Sequence, residues 1–153
     1  MSDERPGQLV VDASVVVKLF LSEALSERAG ALFAAHPESG SLRAPSLLYS
    51  ECANVLWKYV RRAALGRATA EAHMNEILAM RITPAPVESL AAAALPLAIQ
   101  HDITAYDATY VALAQSLTCN LITADQRLVN KLSPNLPFVR WLGDPAMVFG
   151  DDG

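Results

Sequence analysis

Cysteine is scarce in this sequence. The chain has two cysteines, Cys52 and Cys119, and neither belongs to a Cys-x-x-Cys pair or lies near a pair of histidines. Zinc sites cluster such residues at short spacings, and domains stabilised by disulfides are rich in cysteine. The sequence therefore indicates neither a zinc site nor a disulfide framework, and both cysteines are expected to be small core residues.

Long apolar runs are also absent. The longest one extends from Leu90 to Ile99 and contains Pro96, whereas a membrane-spanning helix needs about 20 apolar residues. Residues 1–7 mix charges of both signs, and no apolar run with a small-residue cleavage site follows them, as it would in a secretory leader. We therefore expect a cytoplasmic protein that does not enter a membrane.

Positive charge is in short supply. Twelve Lys and Arg residues against 16 Asp and Glu residues give a formal net charge of -4. Proteins that hold nucleic acid by a general basic surface depend on many Lys and Arg contacts to phosphate. The charge balance argues against that mode of binding, so a substrate that carries phosphate would need a local binding device.

The sequence does contain a regular alternation of strand-like and helix-like segments. The alternation predicts a parallel sheet with helices on both faces, in a single domain over 8–149 with flexible tails at 1–7 and 150–153. Strands are predicted over 8–12, 42–44, 81–83, 120–123 and 138–141. Helices are predicted over 15–20, 26–35, 46–65, 69–79, 87–100, 104–117 and 125–132.

Acidic residues are predicted to meet at one edge of this sheet. Asp12 ends the first predicted strand, and Asp125 comes two residues after the end of the fourth. Glu51 lies one turn into a predicted helix, and Asp107 lies in the first turn of another. Ligands of open parallel sheets bind beyond the carboxyl ends of the strands. Carboxylates brought together there repel one another unless a cation such as Mg²⁺ lies between them, and such a site can activate water and hold a phosphodiester.

Each acid also has a purely structural interpretation. Thr104-x-x-Asp107 matches a capping box with Asp in place of Glu or Gln, and Asp12 and Asp125 are suitable N-caps. Glu51 would then be an ordinary exposed helix acid. On this interpretation the protein is a non-catalytic α/β interaction module. Metal binding separates the two hypotheses, because acids that serve only as caps bind no Mg²⁺ or Mn²⁺.

Four sequence segments carry a more specific signal. They read VVDAS at 10–14, ECAN at 51–54, YDATYVALA at 106–114 and LITAD at 121–125. In this order they resemble the motifs of the PIN domain, in particular those of the VapC-like toxins of bacterial toxin–antitoxin pairs. The resemblance covers roughly residues 8–142.

The resemblance implies both a fold and an activity. The fold would be a three-layer α/β/α sandwich around a mostly parallel sheet. The activity would be that of a toxin that cleaves RNA as an endoribonuclease dependent on Mg²⁺ or Mn²⁺, with a cognate VapB-like antitoxin and a homodimeric assembly. The catalytic, metal-binding acids would be Asp12, Glu51, Asp107 and Asp125. Supporting polar residues would be Ser14, Asn54 and Thr123.

Basic residues follow Glu51 on nearly the same stripe of its predicted helix. Lys58 and Arg62 come about two and three turns later, so they can hold RNA phosphates flanking the cleaved one. The alternative is an ordinary solvated helix face. Lys18 is expected to pair with Glu23 rather than to join the site. Antitoxin contacts are expected on the predicted helical hairpin, over about 47–78.

Overall fold

A computed structural model describes residues 7–149, and within this range five short strands form one sheet. Every neighbouring pair of strands runs parallel, in the spatial order β3-β2-β1-β4-β5. The strands are β1 (Leu9–Val11), β2 (Leu42–Pro45), β3 (Thr83–Ala85), β4 (Asn120–Thr123) and β5 (Val139–Trp141).

Helices cover both faces of the sheet, which confirms the predicted α/β sandwich. Two 3₁₀ turns, Val17–Leu19 and Val87–Ser89, interrupt the helical layers. The α-helices of the described region are α1 (Ala13–Val16), α2 (Ser26–Ala35), α3 (Leu47–Arg61), α4 (Arg67–Ala79), α5 (Ala91–His101), α6 (Ala105–Leu117) and α7 (Gln126–Leu132).

The first strand lies at the centre of the sheet because its side chains suit burial on both faces. Val10 and Val11 are fully buried, as expected for a parallel strand with helices on either side. Leu9 pairs with Leu42 of β2 on one side and with Asn120 of β4 on the other. The chain builds β2 and β3 on one side of β1 and then crosses to β4, so the strand order reverses between β1 and β4. Open sheets bind their ligands at such a point.

Several predicted boundaries were wrong. The strand predicted over 81–83 is instead Thr83–Ala85, and it includes Pro84 because β3 is an edge strand bonded only to β2, where a missing N–H is tolerated. The helix predicted to reach residue 65 ends at Arg61, since Ala63 has a left-handed backbone with φ of 56°. Strand 120–123 and helix 26–35 were predicted with the observed bounds.

The structure also bears on the predictions about the tails, membrane insertion and the two cysteines. The tails predicted at 1–7 and 150–153 lie outside the described residues, apart from Gly7. No helix within 7–149 is long and apolar enough to cross a membrane. Cys52 is fully buried, and burial raises the pKa of its thiol to about 12, whereas Cys119 is half-buried against the core.

Candidate active site

The four predicted acids line one cleft of about 520 Å³ at the carboxyl edge of the sheet. Asp12 follows β1 and Asp125 follows β4, the two strands between which the strand order reverses. Helix α3 contributes one wall and α6 another. The lining residues from these helices are Leu47, Ser50, Glu51, Asn54, Val55 and Lys58 of α3 with Tyr106, Asp107 and Tyr110 of α6.

Asp12 sits where the extended chain of β1 turns into α1. Its backbone is still extended, and its Oδ1 accepts hydrogen bonds from the Val15 N–H at 3.3 Å and the Ser14 hydroxyl at 2.5 Å. Burial raises the pKa of Asp12 to about 6, against the lowering effect of its bonds with Ser14, Thr123 and Val15. The charge of Asp107 raises it further. The protein therefore holds this carboxylate in an environment that disfavours its charge.

Ser14 connects the end of β1, which Asp12 follows, to the end of β4, which Asp125 follows. Its hydroxyl donates to Asp12, accepts the Ala124 N–H at 2.9 Å and lies 3.3 Å from the Thr123 hydroxyl. Thr123, which is fully buried, accepts the N–H of Asp125 at 3.1 Å. This chain of hydrogen bonds fixes the end of β1 against the end of β4, and so it sets the positions of both aspartates.

Glu51 is held by a tyrosine that the sequence motifs did not single out. The hydroxyl of Tyr110, a residue only 2% exposed, donates to Glu51 Oε1 at 2.7 Å. Burial raises the pKa of Glu51, the bond from Tyr110 lowers it, and the charge of Asp107 raises it again. Burial and the charge of Glu51 also raise the pKa of Tyr110. A signal was available, because Tyr110 lies three residues after Asp107 and so shares its helix face.

The remaining two acids lie at helix N-termini. Thr104 caps α6 by accepting the Asp107 N–H at 3.1 Å. Asp125 caps α7 by accepting the N–H groups of Arg127 and Leu128. Burial and the charge of Asp125 raise the pKa of Asp107. Capping and membership of the cleft therefore coexist in Asp125, as they do in Asp12.

The chemistry of these donors fits a hard divalent cation. The pKa values of Asp12, Glu51 and Asp107 are each raised partly by the charge of another acid, and a cation between them would relieve that repulsion. No three Asp, Glu, His or Cys side chains within 7–149 are already grouped as ligands of one ion. Mg²⁺ commonly keeps several waters and takes only one or two protein carboxylates, so this spacing is compatible with such an ion.

The other predicted site residues divide into two groups. Asn54 and Lys58 line the same cleft, about one and two turns after Glu51 on α3. Arg62 is exposed at the carboxyl end of α3 and is not among the lining residues. Lys18 forms the predicted ion pair with Glu23, at 2.7 Å, and so lies outside the site.

Comparison with known proteins identifies the class to which this fold and cleft belong. Residues 9–131 match the family model of the PIN domain, and the chain belongs to that family. PIN-domain ribonucleases generally depend on divalent metals.

Its relatives at the sequence level include ribonucleases named VapC. The chain is 38% identical over 127 residues to ribonuclease VapC3 of Pyrobaculum aerophilum, an alignment that covers 81% of this chain and 94% of that one. It is 36% identical over 120 residues to ribonuclease VapC9 of Mycobacterium tuberculosis, with coverages of 78% and 87%. VapC toxins act on RNA and pair with VapB antitoxins.

Solved structures show the same fold. A Pyrobaculum aerophilum protein of known crystal structure superimposes with a TM-score of 0.61 at 25% identity, covering 81% of this chain and 85% of that one. The Mycobacterium tuberculosis toxin VapC20, described as cleaving the sarcin-ricin loop, gives a TM-score of 0.60 at 22% identity, with coverages of 74% and 87%.

The raised pKa of the half-buried Asp12 carboxylate predicts a specific pH dependence of stability. Because its pKa rises from 3.8 to about 6 on folding, the folded state binds more protons between these values, and its stability falls as the pH rises through them. The full shift corresponds to about 3 kcal/mol. In chelator, the unfolding free energy of the wild type should fall more between these pH values than that of Asp12→Asn, as measured by urea unfolding.

Asp144→Asn provides a control of opposite sign. The N–H of Ala146 and the side chain of Arg140 lower the pKa of Asp144, so this group contributes stability that is lost as the pH falls. Replacing it should remove a gain of stability with rising pH rather than a loss. If the wild type and Asp12→Asn show the same pH dependence, the carboxylate of Asp12 is not held in the environment described above.

Proposed function

We propose that this protein is a metal-dependent endoribonuclease that cleaves RNA phosphodiester bonds as the toxin of a toxin–antitoxin pair. The observation that carries the proposal is the meeting of Asp12, Glu51, Asp107 and Asp125 in one cleft, at the point where the strand order of a PIN-domain sheet reverses. The names of the VapC ribonucleases to which the chain is similar support the same activity.

The four carboxylates would hold Mg²⁺ or Mn²⁺. Such an ion, when bound, lowers the pKa of water and offsets the charge of the phosphate. The surrounding residues orient the acids: Ser14 holds one oxygen of Asp12, Tyr110 holds one oxygen of Glu51, and Thr123 fixes the turn that carries Asp125. Asn54 presents an amide to the same cleft.

A non-catalytic interaction module is the second candidate, and one observation favours it. The side chains of Asp12 and Asp125 do cap α1 and α7. An acid that serves only as a cap could be Ser or Asn without the repulsion that raises the pKa of the neighbouring acids. Calorimetric titration with Mg²⁺ and Mn²⁺ decides between the candidates, because the module would bind neither ion.

The partners of the chain are a further part of the proposal. We infer a homodimer and a cognate antitoxin that contacts the hairpin formed by α3 and α4. The hairpin carries an exposed apolar side chain, Leu78, which is 56% exposed, on its outer surface. Light scattering on the purified chain, with and without antitoxin, measures both assemblies. A monomer with no mass increase in the presence of the antitoxin would contradict this inference.

Replacement of the cleft acids should abolish cleavage. We expect Asp12→Asn and Asp107→Asn to lower the rate of RNA cleavage at least about 100-fold, since metal-assisted charge stabilisation contributes several kcal/mol. Asp102→Asn is the matched control: Asp102 is an exposed acid near α6, its side chain lies 3.7 Å from that of Lys131, and it does not line the cleft. Cleavage of a structured RNA is measured with metal and with EDTA, and circular dichroism checks the fold. Unchanged cleavage by Asp12→Asn would contradict the assignment.

The two candidate phosphate contacts can be separated by salt dependence. Each phosphate contact on a single strand contributes about 0.7 to the slope of log affinity against log salt. Because Lys58 lines the cleft and Arg62 does not, Lys58→Ala should flatten this slope more than Arg62→Ala. Fluorescence anisotropy with labelled single-stranded RNA, in EDTA, measures both variants. A slope that neither variant changes would leave a solvated helix face as the explanation of these charges.

A further inference from the structure

Tyr106 is an exposed aromatic residue at the acidic cleft. It is 64% exposed and lines the cleft beside Asp107. The other large apolar side chains of the described region with comparable exposure do not line the cleft: Trp57, Leu78, Leu95, Ile99 and Val148. The placement of Tyr106 is therefore unusual for this protein.

Tyr110, one turn further along α6, shows what a tyrosine with a structural role looks like here. Its ring is buried, and its hydroxyl donates to Glu51. Tyr106 contributes little to the core, and its hydroxyl makes no hydrogen bond to any residue within 7–149. Packing and hydrogen bonding inside the described chain thus do not account for an aromatic side chain at position 106.

The negative charge of the cleft weakens its attraction for RNA phosphates, and Tyr106 can add affinity for RNA that does not depend on charge. Four carboxylates line it and Lys58 is its one cationic lining residue within the described chain, so the cleft attracts phosphate weakly until cations are bound. Stacking of a base on an aromatic ring adds affinity that depends on neither charge nor sequence, because every base presents a π-face. An exposed ring next to the acids is well placed for this contact.

We propose that Tyr106 stacks against a nucleobase of the RNA strand, beside the phosphate that lies at the acids. The proposal rests on the proposed ribonuclease function and adds to it a residue that positions the substrate through its base rather than its backbone. The sequence tolerance of stacking means that Tyr106 contributes affinity and alignment, and not recognition of one particular base.

A protein partner could cover the same ring, and the test is designed to distinguish this. The variants are Tyr106→Leu, which keeps apolar bulk but not the aromatic face, and Tyr106→Phe, which keeps the face. Trp57→Leu is the matched control, because Trp57 is also an exposed aromatic residue, 53% exposed, but lies outside the cleft with Arg61 over its ring. Thermal melts confirm that all the variants fold.

Binding is measured by anisotropy in EDTA, with labelled single-stranded oligoadenylate and with an abasic ribose-phosphate strand of equal length. We expect Tyr106→Leu to bind oligoadenylate roughly 10-fold more weakly, as loss of one stacked base predicts, and to bind the abasic strand as the wild type does. The loss should be similar at every salt concentration, since stacking releases no counterions. Tyr106→Phe and Trp57→Leu should behave as the wild type.

Three outcomes would overturn the proposal. They are no loss for Tyr106→Leu, an equal loss on both strands, or a loss of antitoxin binding alone, which would assign the ring to a protein contact. Cleavage assays on the same proteins separate this failure from that of the proposed function. A wild type that cleaves RNA, together with a Tyr106→Leu variant of unchanged affinity, would refute stacking while the nuclease assignment stands.

Discussion

The placement of negative charge where water cannot fully solvate it is the constraint on which this site depends. Removing a carboxylate from water disfavours its ionised form, and a second carboxylate nearby disfavours it further. Hydrogen-bond donors partly compensate for this effect: the hydroxyl of Ser14 donates to Asp12, and the hydroxyl of Tyr110 donates to Glu51. These donors offset only part of the effect, since both acids keep raised pKa values. The remaining repulsion is the physical reason for the proposed binding of a cation.

Capping and the proposed catalysis use the same side chains because both tasks need an oxygen at the start of a helix. Parallel strands deliver the chain to one edge of the sheet, and the helix that follows each strand begins there. Asp12 accepts one backbone N–H from the helix it precedes and Asp125 accepts two, and these hydrogen bonds fix the direction of each side chain. Capping and the proposed metal binding are therefore compatible in one arrangement.

Prediction from the sequence is most accurate for segments whose burial restricts which side chains they can carry. The buried apolar residues of β1 and β4, and the acid that follows each strand, could be recognised because a central parallel strand buries side chains on both faces. The edge strand β3 was misplaced, since pairing on one side only lets Pro84 enter it. Tyr110 was missed because its partner Glu51 lies on another helix, and Arg62 drew attention through helical spacing alone, although the cleft ends before it. The local periodicity of a sequence does not show which side chains of different helices contact each other, or how far a cleft extends.

The central position of β1 bears on how the protein is made. Its neighbour β4 lies more than a hundred residues later in the chain. Ser14 can contact the end of that strand only after Thr123 and Ala124 have been synthesised. Ribosomes add about 5–20 residues per second, so the nascent chain spends several seconds or more with Asp12 already synthesised and its sheet still open. During that interval the cleft lacks β4 and the residues that follow it. A growing chain cannot complete the cleft before Asp125 has been synthesised.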